Sequence, residues 1–206
     1  MKILYYLCNI IVRPVSFLAA KIIYRVKFEG WENVPKKQAA ILCGNHVHAL
    51  DAPALVACTT RRIHFMSKKE LFKNPGFRFM GFCFNVFPVD RGKKDTGAVF
   101  KSLEILKKNE MVAIYPEGTR NGLEKGVKPK NGAVRIAIDA GVPIIPFAVI
   151  GNFKPFKRVI YRFGEPIDLS SHKEQAEDKE VLNTLTNEVM SKIIELRDKD
   201  LLDAKN

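Results

Sequence analysis

The sequence predicts a single α/β domain in which a mostly parallel or mixed central sheet is flanked by helices. Short apolar runs alternate with helical patterns over most of the 206 residues, and such alternation is typical of helices that connect parallel strands. The length and a hydrophobic content of 47% suit one domain with a substantial core. We therefore divide the chain into an N-terminal segment, residues 1–24, and one domain, residues 25–206.

Six short apolar runs are predicted as strands and four segments as helices. The strands are expected at residues 39–44, 62–67, 85–89, 111–116, 143–150 and 158–167. The helices are expected at residues 52–58, 96–108, 132–140 and 173–198. The last helix carries one apolar stripe with spacings of three and four residues, at Leu182, Leu185, Val189, Ile193 and Leu196. This spacing is typical of a helix that covers a sheet, and we expect no chemistry from it.

The chain is strongly basic, which predicts an anionic partner. It has 34 lysines and arginines against 22 aspartates and glutamates, a formal charge of +12. Nucleic acid, an anionic membrane surface and a phosphorylated substrate all fit this excess. Residues 68–91 mix basic residues with phenylalanines, as single-strand nucleic-acid binders do, but no nucleic-acid-binding module is recognisable. We therefore expect a membrane surface and a phosphate-bearing substrate, and no nucleic acid.

Residues 1–24 are apolar but interrupted, and they are predicted to anchor the protein to a membrane. The uncharged run Ile3–Val12 ends at Arg13-Pro14, well short of the roughly 20 residues that a spanning helix needs. We expect two short helices, hinged at Pro14, that lie in the membrane interface. The protein would then be peripheral or monotopic on the cytoplasmic face of the cell membrane. A helical hairpin packed on the protein's own core is the alternative.

The four cysteines show neither a metal-site pattern nor a disulfide framework. Cys8, Cys43, Cys58 and Cys83 form no C-x-x-C pair and lie mostly among apolar neighbours. Buried, reduced thiols on the cytosolic side of a membrane are the expected state.

The stretch GNHVHALDAPAL, residues 44–55, has three interpretations. His46 and His48 could begin a metal site, but Asp51 lies three residues beyond His48, where a metallohydrolase pattern would have an aspartate at two. Asp51 could instead be a helix N-cap, with Pro53 in the first turn. In the third interpretation, Asp51 at the helix start orients His46, which then serves as a general base. The second and third interpretations are compatible, and neither needs a metal.

Three further blocks follow this stretch in order. They are FPVDRGKKD at 87–95, IYPEGTRN at 114–121 and GVPIIPFAV at 141–149. Together with His46-x4-Asp51, the ordered set resembles the 1-acyl-glycerol-3-phosphate acyltransferase family, a family of glycerolipid acyltransferases. The resemblance covers roughly residues 25 to 150. It implies that residues 25–206 form a glycerolipid acyltransferase domain.

The resemblance implies a catalytic role for two residues of the first block. His46 would be the general base and Asp51 its orienting partner. The family usually has serine where His48 stands, so His48 is assigned no part in catalysis. No metal and no cofactor are implied.

Residues of the later blocks are implied to bind the acceptor. Arg91 is expected to bind the acceptor phosphate, because arginine can pair bidentately with phosphate, although it could be only an exposed partner of Asp90. In PEGTR, Arg120 would neutralise phosphate and Glu117 would hold glycerol hydroxyls; a polar turn is the alternative. The full set of implied substrate-binding residues is Arg91, Glu117, Gly118, Thr119, Arg120 and Lys130.

The implied activity is transfer of an acyl group from acyl-CoA or acyl carrier protein to the sn-2 hydroxyl of 1-acyl-sn-glycerol-3-phosphate, giving phosphatidic acid. Direct transfer without an acyl-enzyme is expected, since there is no G-x-S-x-G elbow and no serine or cysteine beside a plausible base. The same chemistry on glycerol-3-phosphate or another lysolipid, and a non-catalytic basic membrane-binding protein, are the alternatives. The His46–Asp51 pair favours an enzyme, because a binding protein has no need of a base.

Overall fold

Seven strands form one mixed sheet at the centre of the protein. The structure is a computed structural model that describes residues 8–90 and 96–203. The strands are β1 (Lys27–Glu29), β2 (Ile41–Gly44), β3 (Ile63–Lys68), β4 (Val86–Val89), β5 (Met111–Ile114), β6 (Ile144–Ile150) and β7 (Ile160–Phe163). Their order across the sheet is β1-β7-β6-β2-β5-β3-β4.

Five neighbouring strands, from β6 to β4 in this order, run parallel to one another. The register is centred on β2, where Ile41 lies between Val112 of β5 and Ile144 of β6. Strand β7 is antiparallel to β6, and β1 is parallel to β7. The prediction of an α/β domain with a mostly parallel or mixed sheet is confirmed. We call the edge where the five parallel strands end the carboxyl edge.

Helices cover both faces of the sheet. They are α1 (Arg13–Ile22), α2 (Asp51–Ala57), α3 (Pro75–Cys83), α4 (Thr96–Leu106), α5 (Gly132–Ala140) and α6 (Lys179–Asp203). Shorter turns lie at Cys8–Val12, Trp31–Asn33, Lys69–Lys73 and Ser170–Gln175. Helices α1, α2 and α3 contribute buried residues to the core on one face, and α4, α5 and α6 to the core on the other.

Strand β2 shows how the sheet separates the two cores. Leu42 belongs to the core under α2, whereas Ile41 and Cys43 belong to the core under α5 and α6. Successive side chains of a strand point to opposite faces, so a strand covered on both sides must be apolar at every position. Burying each leucine or isoleucine here contributes about 1.5–3 kcal/mol to stability. This accounts for the continuous apolar run from which β2 was predicted.

Most predicted elements occur in the structure, with shifted ends. Helix α5 has the predicted bounds, and the predicted strand at 158–167 shortens to β7. Strand β1 and helix α3 were not predicted. Helix α3 has a sequence signal in Asn74-Pro75, because the Asn74 side chain accepts a hydrogen bond from the Phe77 amide at 3.0 Å and Pro75 occupies the first turn.

The N-terminal segment differs from the expected pair of hinged helices. The π-helical turn Cys8–Val12 runs directly into α1, and Val12 has helical backbone angles, so there is no hinge at Pro14. Proline is tolerated because it lies in the first turn of α1, where backbone N–H groups need no helical partner. Residues 1–7 of the predicted segment lie outside the described residues. Within the described ranges, no helix is long and apolar enough to cross a membrane.

The expectation of four reduced thiols is wrong for one pair. Cys8 and Cys83 form a disulfide between the N-terminal segment and the end of α3, with 5.2 Å between their Cα atoms. The pair is separated by 75 residues, and only the tertiary fold brings them together. Cys43 and Cys58 are free thiols, as expected.

Candidate active site

The loop that follows β2 crosses the carboxyl edge and carries His46. Gly44 ends the strand against the ring of Phe147, where an added Cβ would lie 2.5 Å from a ring carbon. The buried Asn45 side chain then pairs with the main chain of β6: its amide donates to the Val149 carbonyl at 3.0 Å, and its carbonyl accepts from the Val149 amide at 2.7 Å. These contacts fix the start of the loop to the neighbouring strand.

His46 and Asp51 form a hydrogen-bonded pair. The Nδ1 atom of His46 lies 2.7 Å from Oδ2 of Asp51. Asp51 is fully buried, and the same oxygen accepts from the amides of Val47 at 2.8 Å and His48 at 3.0 Å. A buried carboxylate with several donors is best stabilised when it is ionised, so the shared proton is assigned to Nδ1. The Nε2 atom of His46 is left with a free lone pair.

The prediction that Asp51 is the N-cap of the helix is wrong. It is the first residue of α2, the cap residue is Leu50, and no side chain caps the helix. The carboxylate turns back to the preceding loop instead, where three donors meet it. The Asp51 main chain is also held, because its carbonyl accepts a hydrogen bond from the buried Tyr161 hydroxyl at 2.9 Å. Asp51 therefore organises the whole turn between β2 and α2.

Tyr115 sets the plane of the His46 ring. The two rings stack with centroids 4.3 Å apart and an interplanar angle of 11°. Burial raises the pKa of Tyr115 well above its ordinary value, and the negative charge of Asp51 raises it further. Tyr115 is therefore a neutral wall behind the imidazole, and 22% of the His46 side chain stays accessible.

Glu117 holds the main chain of His46. One carboxylate oxygen accepts from the His46 amide at 3.1 Å, and the other accepts from the Leu123 amide at 2.7 Å. Only 2% of Glu117 is exposed, and Gly122 packs on it so closely that an added Cβ would lie 2.6 Å from the carboxylate. The His46 carbonyl accepts from the Asn121 amide at 2.6 Å. Both oxygens of Glu117 thus bind backbone amides, where the sequence had suggested glycerol hydroxyls.

The other predicted residues of this block lie at the surface. Gly118 has φ of +64° and its amide donates to the Tyr115 carbonyl at 2.9 Å, which turns the chain sharply after β5. Thr119 and Arg120 follow, and both are exposed. Lys130 is exposed as well, and its amide donates to Pro116 at 2.9 Å. Since β5 adjoins β2, the turn comes next to His46.

Arg91 lies outside the described residues. Strand β4, which precedes it, ends at Val89 on the same carboxyl edge. A small cavity of about 110 Å³ opens beside His46, and its walls include Glu117, Gly151 and Arg197. Arg197 belongs to α6, the helix from which we expected no chemistry.

His48 is occupied elsewhere and does not form a ligand pair with His46. Its Nδ1 atom accepts from the Leu50 amide at 3.2 Å, and its ring stacks on Phe153 with centroids 5.3 Å apart. Across the described part of the chain, no group of three or more metal-ligating side chains comes together. The geometry at the carboxyl edge is that of an oriented imidazole with a buried carboxylate behind it.

Sequence reasoning missed three residues that build this site: Asn45, Tyr115 and Tyr161. Asn45 and Tyr115 lie next to recognised motifs, so their neighbourhood was visible although their contacts were not. Tyr161 lies 110 residues from the carbonyl that it binds, and no pattern in the sequence connects the two.

Comparisons with known proteins show which family this chain belongs to. A family model described as Acyltransferase matches residues 25–150, more than half of the chain. The 1-acyl-sn-glycerol-3-phosphate acyltransferase of Bacillus subtilis (strain 168) is 32% identical over 181 residues, which cover 84% of this chain and 89% of that protein. The protein with the same name from Streptococcus pneumoniae is 31% identical over 147 residues, 68% of this chain and 53% of its own length.

A solved structure shares the fold. The 1-acyl-sn-glycerophosphate (LPA) acyltransferase PlsC from Thermotoga maritima superposes with a TM-score of 0.63 at 26% identity, covering 92% of this chain and 82% of that chain. The residues matched by the family model include the His46 loop and the turn after β5. The chain therefore belongs to the acyltransferase family and is an O-acyltransferase.

Proposed function

We propose that this protein transfers a fatty acyl group from an acyl thioester to the sn-2 hydroxyl of 1-acyl-sn-glycerol-3-phosphate, giving phosphatidic acid for phospholipid biosynthesis. The names of the similar proteins from B. subtilis and S. pneumoniae support this acceptor. The observation that carries the chemistry is the 2.7 Å contact between His46 and the buried Asp51. The basic charge of the chain suits the phosphate of the acceptor and both anionic acyl carriers, coenzyme A and acyl carrier protein.

In the proposed reaction, His46 is the general base. Its Nε2 takes the proton of the sn-2 hydroxyl while that oxygen attacks the thioester carbonyl. The tetrahedral intermediate then collapses, the carbon–sulfur bond breaks, and the imidazolium returns the proton to the leaving thiolate. Asp51 stabilises the imidazolium and holds Nδ1–H in place. A positioned base of this kind contributes about 10²–10⁴-fold to the rate, and alignment of the substrates supplies more.

We assign Glu117 to positioning and the exposed cations to binding. The Glu117 carboxylate accepts a hydrogen bond from the His46 amide. Glu117 therefore acts by positioning the proposed base. Arg120 and Lys130 are exposed near the carboxyl edge and are free to bind the acceptor phosphate, together with Arg91. The turn at Gly118 places the exposed Thr119 in the same region, where its hydroxyl can bind the acceptor.

The free cysteines do not suit a covalent route. Cys43 is buried, and burial raises its pKa far above the ordinary thiol value, with the charge of Glu117 adding to the effect. Burial also raises the pKa of Cys58. Since the thiolate is the nucleophilic form, neither thiol is reactive near neutral pH. We therefore propose direct transfer in a ternary complex.

We propose that α1 binds the protein to the membrane surface on which the lipid acceptor lies. One face packs on α2, where the Arg13 guanidinium reaches the Val56 carbonyl at 3.5 Å and Ala20 is buried. The other face exposes an apolar stripe at Val15, Leu18 and Ile22, and Ile11 extends it into the preceding turn. A helix of this kind lies in the plane of the interface, which makes the protein peripheral. The cytoplasmic face is the side on which both acyl carriers occur.

The decisive experiment measures acceptor-dependent thiol release. Purified protein is given acyl-CoA or acyl carrier protein thioester with 1-acyl-glycerol-3-phosphate, glycerol-3-phosphate or a lysolipid without a phosphate monoester. We expect release with the first acceptor only, and a loss of about 10²-fold or more in His46→Ala. Thiol release with glycerol-3-phosphate but not with 1-acyl-glycerol-3-phosphate would identify glycerol-3-phosphate as the acceptor. Absence of any acceptor-dependent release would leave the binding-only alternative, and full activity of His46→Ala would exclude the assigned base.

A further inference from the structure

The loop between β6 and β7, residues 151–159, presents an aromatic side chain to solvent at the carboxyl edge. Phe156 is 71% exposed, which is unusual for a phenylalanine, and its backbone adopts a left-handed φ of +62°. A bulky residue in this conformation persists only where its surroundings hold it. The loop therefore holds an apolar side chain away from the core.

The surroundings that hold Phe156 belong to the end of α1. The Phe156 amide donates to the Ile23 carbonyl at 2.6 Å, and the Val159 amide donates to the Tyr24 carbonyl at 3.2 Å. These bonds place the loop directly beside Ile22 and Ile23, which continue the exposed apolar stripe of α1. Phe156 thus extends that stripe onto a second, distant part of the chain.

Basic residues flank the exposed phenylalanine. Lys154, Lys157 and Arg158 are all exposed, and residues 151–159 contain no acidic residue. None of the three cations has an ion-pair partner among residues 8–90 and 96–203. An aromatic ring between cations matches a bilayer interface, where rings sit at the headgroup level and cations contact lipid phosphates.

We propose that residues 151–158 are a second membrane-binding element, in which Phe156 enters the interface of an anionic bilayer while Lys154, Lys157 and Arg158 contact lipid phosphates. The inference rests on the proposed function, since it assumes a lipid acceptor at the membrane. An acidic acyl carrier protein would also attract the three cations, but it gives no reason for the continuity of Phe156 with the apolar stripe.

The loop also connects the proposed membrane surface to the active site. Phe153, which is buried, contacts Tyr24 at the end of α1 with ring centroids 5.2 Å apart, and it contacts His48 at 5.3 Å. The position occupied by His48 therefore links the His46 loop to the membrane-binding elements. A bilayer on Phe156 lies at the edge of the sheet where His46 is found, so the acceptor can reach the base without leaving the lipid surface.

Vesicle binding without substrates tests the proposal separately from catalysis. The full chain is sedimented with vesicles of phosphatidylcholine alone or with added phosphatidylglycerol. The variant Phe156→Asn keeps a residue type that tolerates the left-handed conformation, and we expect about tenfold weaker binding to both compositions. For the double variant Lys154→Ser/Lys157→Ser, we expect the vesicle affinity to fall about fivefold per lysine, roughly 25-fold in total, and only for the anionic vesicles at low salt.

Matched controls remove equivalent groups elsewhere. Phe100 is 72% exposed on α4, which covers the opposite face of the sheet, so Phe100→Gln removes a ring of equal exposure. Lys36 and Lys37 are exposed just before β2 begins, and Lys36→Ser/Lys37→Ser removes the same charge from the opposite edge of the sheet. Both controls are expected to bind vesicles as the unaltered protein does.

The activity of each variant on a short-chain, soluble acceptor with acyl-CoA shows whether the active site is intact, and we expect it unchanged. Loop variants that bind vesicles as well as their controls would overturn the proposal. So would a loss confined to the rate with acyl carrier protein, which would assign the loop to that carrier. If neither the unaltered protein nor any variant acts on the soluble acceptor, the proposed function fails. The vesicle-binding result still tests the proposed membrane contact.

Discussion

At the residue scale, His46 is held through its main chain as well as through its ring. Glu117 and Asn121 bind its amide and carbonyl, Asp51 binds Nδ1, and Tyr115 supports the ring plane. A general base, the role that we propose for His46, needs its lone pair within about half an ångström of the productive position. Four contacts on one residue meet that requirement before any substrate arrives.

Replacing Asp51 tests the orientation of the base. Asp51→Asn keeps the size of the side chain but removes the charge that stabilises the imidazolium, and we expect kcat to fall about 10²-fold or more with little change in the KM of the acceptor. Steady-state kinetics measure this. Asp139→Asn on α5 is the matched control and should keep full activity. A kcat within twofold of the unaltered value would contradict the assigned pair.

Substitutions of Glu117 and Arg120 are expected to have different effects, although the two residues lie three positions apart. Glu117→Gln leaves one of two buried amides without an acceptor, so we expect a loss of about 1–3 kcal/mol in the free energy of unfolding together with a lower kcat. Arg120→Ala removes an exposed cation, so stability should change by less than about 0.5 kcal/mol. The KM of the acceptor should instead rise roughly 10-fold or more. Denaturant titration and kinetics separate the two, and a shared phenotype would refute the distinction.

At the scale of the elements, the site depends on how closely the strands around β2 approach one another. Gly44 faces the ring of Phe147 on β6, and Asn45 bonds to Val149 on the same strand. The loop to α2 can begin only where these contacts place it. Packing between two strands therefore sets the position of the loop that carries His46.

Gly44→Ala tests that packing. An added methyl would lie 2.5 Å from the Phe147 ring, and overpacking of this kind costs about 1–3 kcal/mol. We expect lower stability and lower activity together, because the strand end and the His46 loop move as one. Gly132→Ala on α5 meets nothing within 4 Å and should be neutral or slightly stabilising. Equal melting temperatures for the two variants would argue against the close contact.

At the scale of the whole molecule, Arg162 joins the far side of the sheet to the C-terminal helix. It is nearly buried on β7, its Nε donates to Glu29 of β1 at 2.8 Å, and it donates to Asp200 of α6 at 2.9 Å. Its Nη1 also donates to the Leu196 carbonyl at 2.9 Å. The Arg162 guanidinium thus connects β7, β1 and α6, three elements that are distant in sequence.

This network predicts an acid-dependent loss of stability. Hydrogen bonds from Lys27 and Arg162 lower the pKa of Glu29 below its ordinary value of 4.5. A carboxylate with a lowered pKa stabilises the fold above its unfolded-state pKa, and the stabilisation is lost as the pH falls below that value. We expect Glu29→Gln to cost about 1 kcal/mol at pH 7 and much less near pH 3. Urea titrations at both pH values measure it, and a cost independent of pH would contradict the assignment.

The extent to which sequence predicted structure differs between the core and the site. Apolar runs predicted β2, β5 and β6 because strands covered on both faces must be apolar throughout. The edge strand β1 was missed because two of its three residues, Lys27 and Glu29, carry charges that a buried run would not have. The Cys8–Cys83 disulfide and the continuous helix through Pro14 also differed from expectation. The disulfide depends on the fold, which brings Cys8 to the end of α3, whereas the continuous helix reflects the position of Pro14 in the first turn of α1.

The sequence by itself determined the α/β class, because that class follows from side-chain periodicity. The pairing of His46 with Asp51 was implied by the resemblance of four ordered motifs to a known family. Only the tertiary structure decided what Glu117, His48 and Phe156 do. Glu117 turns inward to the His46 amide, His48 turns to Phe153, and Phe156 emerges beside α1. Each of these directions is set by a neighbour tens of residues or more away in the chain. Polar and aromatic side chains satisfy whichever group the fold brings near them, so their roles are settled only when the fold is complete.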